Sequence, residues 1–303
     1  MTLFSTIEKS YGIQIHRWMA VRDVYQVHTK RHGLLCVKPY RVPFEELKFI
    51  IAVQDHVADQ GFAFVPKTFL TRNGDIAIGQ RRTWYVVSRW IRGRHPAFQH
   101  RSQLAKGVRT LAAFHQCAQG FPGQLVPEHR LRVTEIENEF RRQSHTLRHN
   151  DDGPHGRLFV DLCEDAMQQL RKSQVKRAIR AEKKVRAFVH GDYNYPNIVV
   201  DHQGRYQLID FENTSLHVRM EDLAHIIHRN APWQAEKTFR MIDAYDRVRP
   251  LDKEDLSLLI ALLHQPYPII RAIRSRKSTV SLQSVVPSKA RVEAYVRQLK
   301  SLG

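Results

Sequence analysis

An α+β chain with a strand-rich first third and a helical remainder is what the sequence predicts. Three observations carry that expectation: apolar residues alternate with polar ones before residue 92, they recur at helical spacing after Gly93, and a short hairpin pattern interrupts the helices between Asn197 and Asp210. The reading is of two lobes, residues 1–92 and residues 93–303.

The run VYQVHTKRHGLLCVK, residues 24–38, is two alternating segments around a turn at Lys30 to Gly33, the pattern of a β-hairpin. A helix is expected from Glu45 to Asp59, where Leu47, Ile50, Ile51 and Val57 share one face, and Gly61 marks its end. Strands are expected over 64–70, 76–78 and 83–90, with Asn73 and Gly74 turning between the first two. Helices then follow over 102–119, 133–148 and, in two pieces, 158–186; they resume from Glu221.

Composition narrows the class of function. The 303 residues carry 48 Lys and Arg against 30 Asp and Glu, a formal charge of +18 that favours phosphorylated or otherwise acidic partners and disfavours polycations. The N-terminus lacks a basic start followed by an apolar run, and no segment reaches the roughly 18 to 20 apolar residues of a bilayer span. Neither secretion nor a membrane role is expected. Cys36, Cys117 and Cys163 are odd in number and far apart, which argues for a reducing compartment.

Against this basic background, FVHGDYNYPNIVVDHQGRYQLIDFEN places Asp192, Asn197 and Asp210 in a short apolar stretch. Folding IVV and YQLI around Asp201 to Arg205 sets Ile198 opposite Ile209 and brings Asn197 and Asp210 together at the open end. Two oxygen donors there suit Mg²⁺, which takes one or two protein ligands and completes its shell with water and nucleotide phosphates. Asp192, five residues before Asn197, is placed to accept a proton from an attacking hydroxyl. The spacing Asp-x-x-x-x-Asn followed by a carboxylate after a second strand is that of a kinase catalytic loop and metal-binding segment.

HGDYNYPN and LIDFE resemble the HGDxxxxN and IDxE/D signatures of the aminoglycoside phosphotransferase and choline kinase superfamily, a two-lobed protein-kinase-like fold. Within it the chain is similar to the CotS-type spore coat proteins, through CVKPYRVPFEELKFI, WYVVSRWIRGR, LAAFHQCAQGF, the HGD segment and MEDLAHII in that order. The resemblance implies Asp192 as catalytic base and Asn197 and Asp210 as Mg²⁺ ligands. It makes Lys38 the lysine on the ATP phosphates, held by Glu45 or Glu46, with Glu46 preferred. It also makes Ser88 to Ile91, including Trp90, the hinge whose backbone meets the adenine. His190 and Asp222 are read as structural, Asp222 as a helix cap. One departure stands out: the phosphate-covering turn should fall between Ile15 and Val27, yet IHRWMAVRDVYQV has no glycine, leaving Arg22 or Arg17 to serve.

The implied activity is ATP- and Mg²⁺-dependent phosphoryl transfer to an unidentified hydroxyl-bearing substrate. Association with other spore coat proteins, in the mother-cell cytoplasm and the coat, follows from the same resemblance. The rival is a pseudokinase that docks structurally in the coat. No nucleic-acid-binding motif accompanies the charge, so nucleic acid is not the expected partner. Neither His145 with His149 nor His225 with His228 has a further ligand at metal spacing, and no zinc site is expected there. The basic run 171–186 reads as a solvated helix face, 271–284 as a basic loop or docking surface, and the four tryptophans as core or interface residues.

Overall fold

The computed structural model describes residues 2–149, 156–275 and 286–302, so most of the basic 271–284 stretch lies outside the described residues. Residue contacts divide the chain into two compact units. The first comprises residues 1–96, 122–128 and 196–212; the second comprises 97–121, 129–195 and 213–303.

The first unit opens with a helix, α1 (Leu3–Tyr11), which the sequence reading did not anticipate. Thr2 starts it by accepting the Ser5 N–H at 3.3 Å, and Gly12 ends it at φ +67°. An antiparallel sheet follows: β1 (Ile15–Val21), β2 (Val24–Thr29), β3 (Gly33–Tyr40), β4 (Thr68–Phe69), β5 (Ile78–Gln80) and β6 (Thr83–Arg89). Its order is β1-β2-β3-β6-β4, with β5 also on β6. β1 escaped prediction because it is an edge strand whose side chains are nearly all exposed, so it shows no alternation. Trp18 on this edge is 49% exposed and stacks on Phe4 at 4.3 Å, so it is a surface residue and not core.

Between β3 and β4 the chain forms α2 (Phe44–Asp59), with Leu47, Ile50, Ile51 and Val57 buried as expected and Gly61 past its end at φ +105°. The expected strand over 64–70 shrinks to two residues. Pro66 has no N–H for a ladder, and the Phe64 carbonyl accepts from Leu208 N at 2.8 Å instead of joining the sheet. The expected strand at 76–78 sits two residues later, and both it and β4 pair with β6, not with each other across the Asn73–Gly74 turn.

In the second unit, α3 (Arg101–Cys117), α4 (Ile136–His149), α5 (Gly156–Leu170) and α6 (Ser173–Lys184) match the expected helices to within a few residues. β7 (Phe188–Val189) pairs with the later β10 (Ser215–Leu216), a two-residue ladder too short to show in any pattern. After it come α7 (Met220–Asn230), α8 (Ala235–Asp246), α9 (Lys253–His264), α10 (Tyr267–Arg274) and α11 (Lys289–Lys300). α9 is the central helix: Leu258, Leu259, Ala261, Leu262 and Leu263 are all but fully buried, and it packs on α5, α6 and α7. Trp233 is buried here. No single helix among the described residues is long and apolar enough to cross a membrane.

Between the two short strands of that ladder, the chain returns to the first unit and forms a second hairpin, β8 (Ile198–Val200) and β9 (Tyr206–Leu208). Three backbone bonds fasten it there: Arg94 N to Val200 O at 3.1 Å, Val200 N to Arg94 O at 2.8 Å, and Leu208 N to Phe64 O. Gly93 permits this approach, since a Cβ on it would lie 2.1 Å from the Val200 carbonyl oxygen.

Candidate active site

The hairpin's register is set at its turn. Asp201 N donates to Arg205 O at 3.0 Å, and the Asp201 carboxylate accepts the N–H groups of Gln203 and Arg205, both at 2.9 Å. This centres the loop on Gln203, so Ile198 faces Leu208, one position from the Ile209 expected. The shift keeps the two expected metal ligands together: Ile209 N donates to Asn197 O at 3.0 Å, which leaves Asn197 and Asp210 as neighbours at the open end. Asp210 has φ +66°, a left-handed conformation that aspartate tolerates better than bulkier residues.

Asn197 and Asp210 line one cavity of about 900 Å³ within the first unit. Lys38, Ser88, Trp90 and Ile91 line it too, so six residues singled out from 38 to 210 converge on one space. The glycine-free turn reaches the same cavity. β1 and β2 join through Arg22 and Asp23, with Arg22 at φ +54°, and both residues line the wall; Arg17 does not. A further cation set, Arg41, Arg89 and Arg94, also lines it, which makes the walls attractive to phosphates.

The Lys38 ammonium lies 2.7 Å from Asp210 Oδ1 and 2.8 Å from Glu212 Oε1. Burial by itself would lower its pKa; Tyr40 and the two carboxylates outweigh that and hold it above the ordinary lysine range. Of the α2 glutamates weighed for this lysine, Glu45 pairs with Lys48 at 2.8 Å and Glu46 is buried in the first helical turn. Two carboxylates of the LIDFE segment, Asp210 and Glu212, hold Lys38. Glu212 was quoted in that motif, yet its place beside Lys38 spans 174 residues of sequence and has no local signal. Burial pushes the neighbouring Cys36 thiol up to about 11, so it is a neutral group in the wall.

Asp192 belongs to the second unit, on a loop of unusual construction. Gly191 has φ +81°, and a Cβ there would lie 2.1 Å from the Asn213 carbonyl oxygen, so the HGD motif admits only glycine at its centre. Asp222, fully buried, accepts the N–H of His190 at 2.7 Å and of Gly191 at 3.0 Å. It is structural, as expected, but not as a cap of its own helix: it anchors the loop. His115 Nε2 is 3.2 Å from the same carboxylate, and its Nδ1 is 2.7 Å from the Tyr245 hydroxyl. Burial would raise the Asp222 carboxyl, but the bonds from His115 and the loop hold it below the usual carboxylate range. Burial also lowers His115, so a neutral ring donates to Asp222 and accepts from Tyr245. His190 is buried and accepts from Asp192 N at 3.4 Å, a scaffold role. The Asp192 carboxylate is met by Arg229 of α7 at 2.7 Å.

His145 and His149 stack at 3.9 Å, and His225 and His228 flank the Tyr267 ring. Glu139, His217 and Glu221 bring ligand atoms within 4.8 Å of one another. Arg132 meets Glu139, His225 Nε2 lies 3.0 Å from Glu221, and Val218 N donates to His217 Nδ1 at 2.8 Å, while His217 Nε2 is buried without a hydrogen-bond partner among the described residues.

Comparison with known proteins adds to this geometry. Residues 14–252 match the family described as "Phosphotransferase enzyme family". Among solved structures, an aminoglycoside phosphotransferase from Alicyclobacillus acidocaldarius aligns with a TM-score of 0.82 at 18% identity, covering 100% of this chain and 96% of that one. An amicoumacin kinase in complex with AMP-PNP, Ca²⁺ and its antibiotic aligns at 0.60 and 15% identity, over 99% and 92% of the two chains. A spectinomycin phosphotransferase with ADP and spectinomycin gives 0.56 and 15%, over 99% and 93%. At these identities the structures show a shared fold.

Proposed function

The chain belongs to the phosphotransferase enzyme family, and from that premise we propose that it transfers the γ-phosphoryl group of ATP, with Mg²⁺, to a hydroxyl of a small acceptor. The observation that carries the reading is the convergence of Lys38, Asn197, Asp210 and the 88–91 segment on one basic cavity. Asn197 and Asp210 form an oxygen-only donor set suited to a hard divalent ion, which when bound neutralises charge on the phosphates. Lys38 holds the α and β phosphates, and Arg22 at the turn replaces the backbone cradle that glycines would form.

Asp192 is the proton acceptor. The acceptor oxygen bonds to γ-phosphorus as the bond from that phosphorus to the β–γ bridging oxygen breaks; ADP leaves, and the hydroxyl proton passes to the Asp192 carboxylate and on to water. An acceptor of low positive charge is favoured by the protein's charge of +18, so the polycationic aminoglycosides are disfavoured. The similarity to CotS-type proteins supports a place in the spore coat or the mother cell, with coat proteins as partners.

MgATP is expected to raise the melting temperature by mass action, and ADP release is expected to vanish in Asp192→Asn. A second reading, a docking pseudokinase, draws on the glycine-free turn with Arg22 at its tip. It predicts no thermal shift with MgATP at millimolar concentration and no turnover in the wild type.

A further inference from the structure

Asp192 and its loop are gripped twice by the same helix. Asp222 and Arg229 sit seven residues apart on α7, close to two full turns, so they project from one face separated by about 10 Å along the axis. Asp222 takes the backbone N–H groups of His190 and Gly191. Arg229 Nη1 takes the Asp192 carboxylate at 2.7 Å. The next α7 residue, Asn230, reaches Asn194 at 3.4 Å, which extends the grip past Asp192.

We propose that Arg229 is a positioning residue for the transfer reaction: it fixes the orientation of the Asp192 carboxylate, while Asp222 fixes the loop that carries it. The inference rests on Asp192 being the proton acceptor. Arg229 is suited to the role because it is itself held. Its side chain is only 14% exposed, and Tyr267, wedged between His225 and His228, hydrogen-bonds it. A guanidinium so packed loses little rotamer freedom in binding the carboxylate of Asp192, whose side chain is 36% exposed. In a loose transition state the base contributes mainly by where it stands, so orientation decides the rate.

The sequence holds no hint of this pairing, since Arg229 lies 37 positions beyond Asp192 in a helix whose histidines draw the eye. It also places a fixed positive charge beside the acceptor's hydroxyl, a local reason for the same discrimination against cationic acceptors that the overall charge implies.

The test compares wild type, Arg229→Ala and Arg229→Lys in MgATP turnover with water as acceptor, alongside crystal structures of the wild type and the alanine variant. Arg229→Ala is expected to lower kcat about 100-fold with KM for MgATP within twofold; added guanidinium chloride restores part of the loss, and Arg229→Lys retains an intermediate rate. In the crystals, the Asp192 carboxylate should leave its wild-type rotamer in Arg229→Ala while the loop backbone stays in place on Asp222. A kcat within threefold of wild type, or an Asp192 rotamer unchanged in the alanine variant, overturns the inference. If wild type and Asp192→Asn are equally inert, the proposed activity falls, and the rotamer comparison still decides the role of Arg229.

Discussion

Two aspartates in the same short segment of chain are held in opposite ways. Asp210 meets Lys38 in an open cavity, and 43% of its side chain is exposed; Asp222, 12 positions later, is wholly buried with two backbone N–H groups and His115. An ion pair in partial contact with water is worth little and exchanges easily, which is what the metal role proposed for Asp210 requires. A buried, fully satisfied carboxylate has no such freedom, and removing it strands its donors. The same residue type is thus loosely paired in one unit and rigidly held in the other.

That contrast breaks most clearly at Asp222. Asp222→Ala is expected to cost about 3–5 kcal/mol, because it leaves two loop N–H groups and His115 without their acceptor; chemical denaturation measures it. Gly191→Ala should fall in the same range or fail to fold, since its φ and the nearby Asn213 carbonyl both exclude a side chain. At Asp210 the expectation reverses: Asp210→Ala changes stability by about 1 kcal/mol or less, yet abolishes the MgATP thermal shift. A large loss of stability there, with nucleotide binding retained, would erase the distinction.

A smaller effect concerns acid. His228 in the second unit is buried, and desolvation lowers its pKa to about 4. The unfolded chain, in which histidine titrates near 6.5, therefore binds more protons below that pH. Stability present above about 6.5 is lost as pH falls toward 4. His115, His217 and His264 are lowered by the same burial and add to the trend. Melting curves between pH 7 and 5 should fall, and hydrogen exchange should assign the early loss to the helical unit. The smallest effect is at the edge strand, where Trp18→Ala should cost only about 1 kcal/mol, the scale of one exposed aromatic stack.

Much of the fold was legible because hydrophobic period is a local property: α2, α3 and the hairpins of β2–β3 and β8–β9 announce themselves in their own residues. What escaped were elements without such a period, the exposed strand β1 and the two-residue pair β7–β10. The register of β8–β9 missed by one because an aspartate side chain, not the glycine beside it, centres the turn.

By itself the sequence determined the candidates for chemistry: Lys38, Asp192, Asn197 and Asp210 stand out as polar groups in apolar or signature-bearing stretches. Only the tertiary structure decided their company. Glu212 with Lys38, Asp222 under the Gly191 loop and Arg229 against Asp192 are pairings across tens to hundreds of residues. Side-chain identity is written along the chain, but a contact between distant residues exists only once packing has closed the loops between them, and no local pattern encodes that closure.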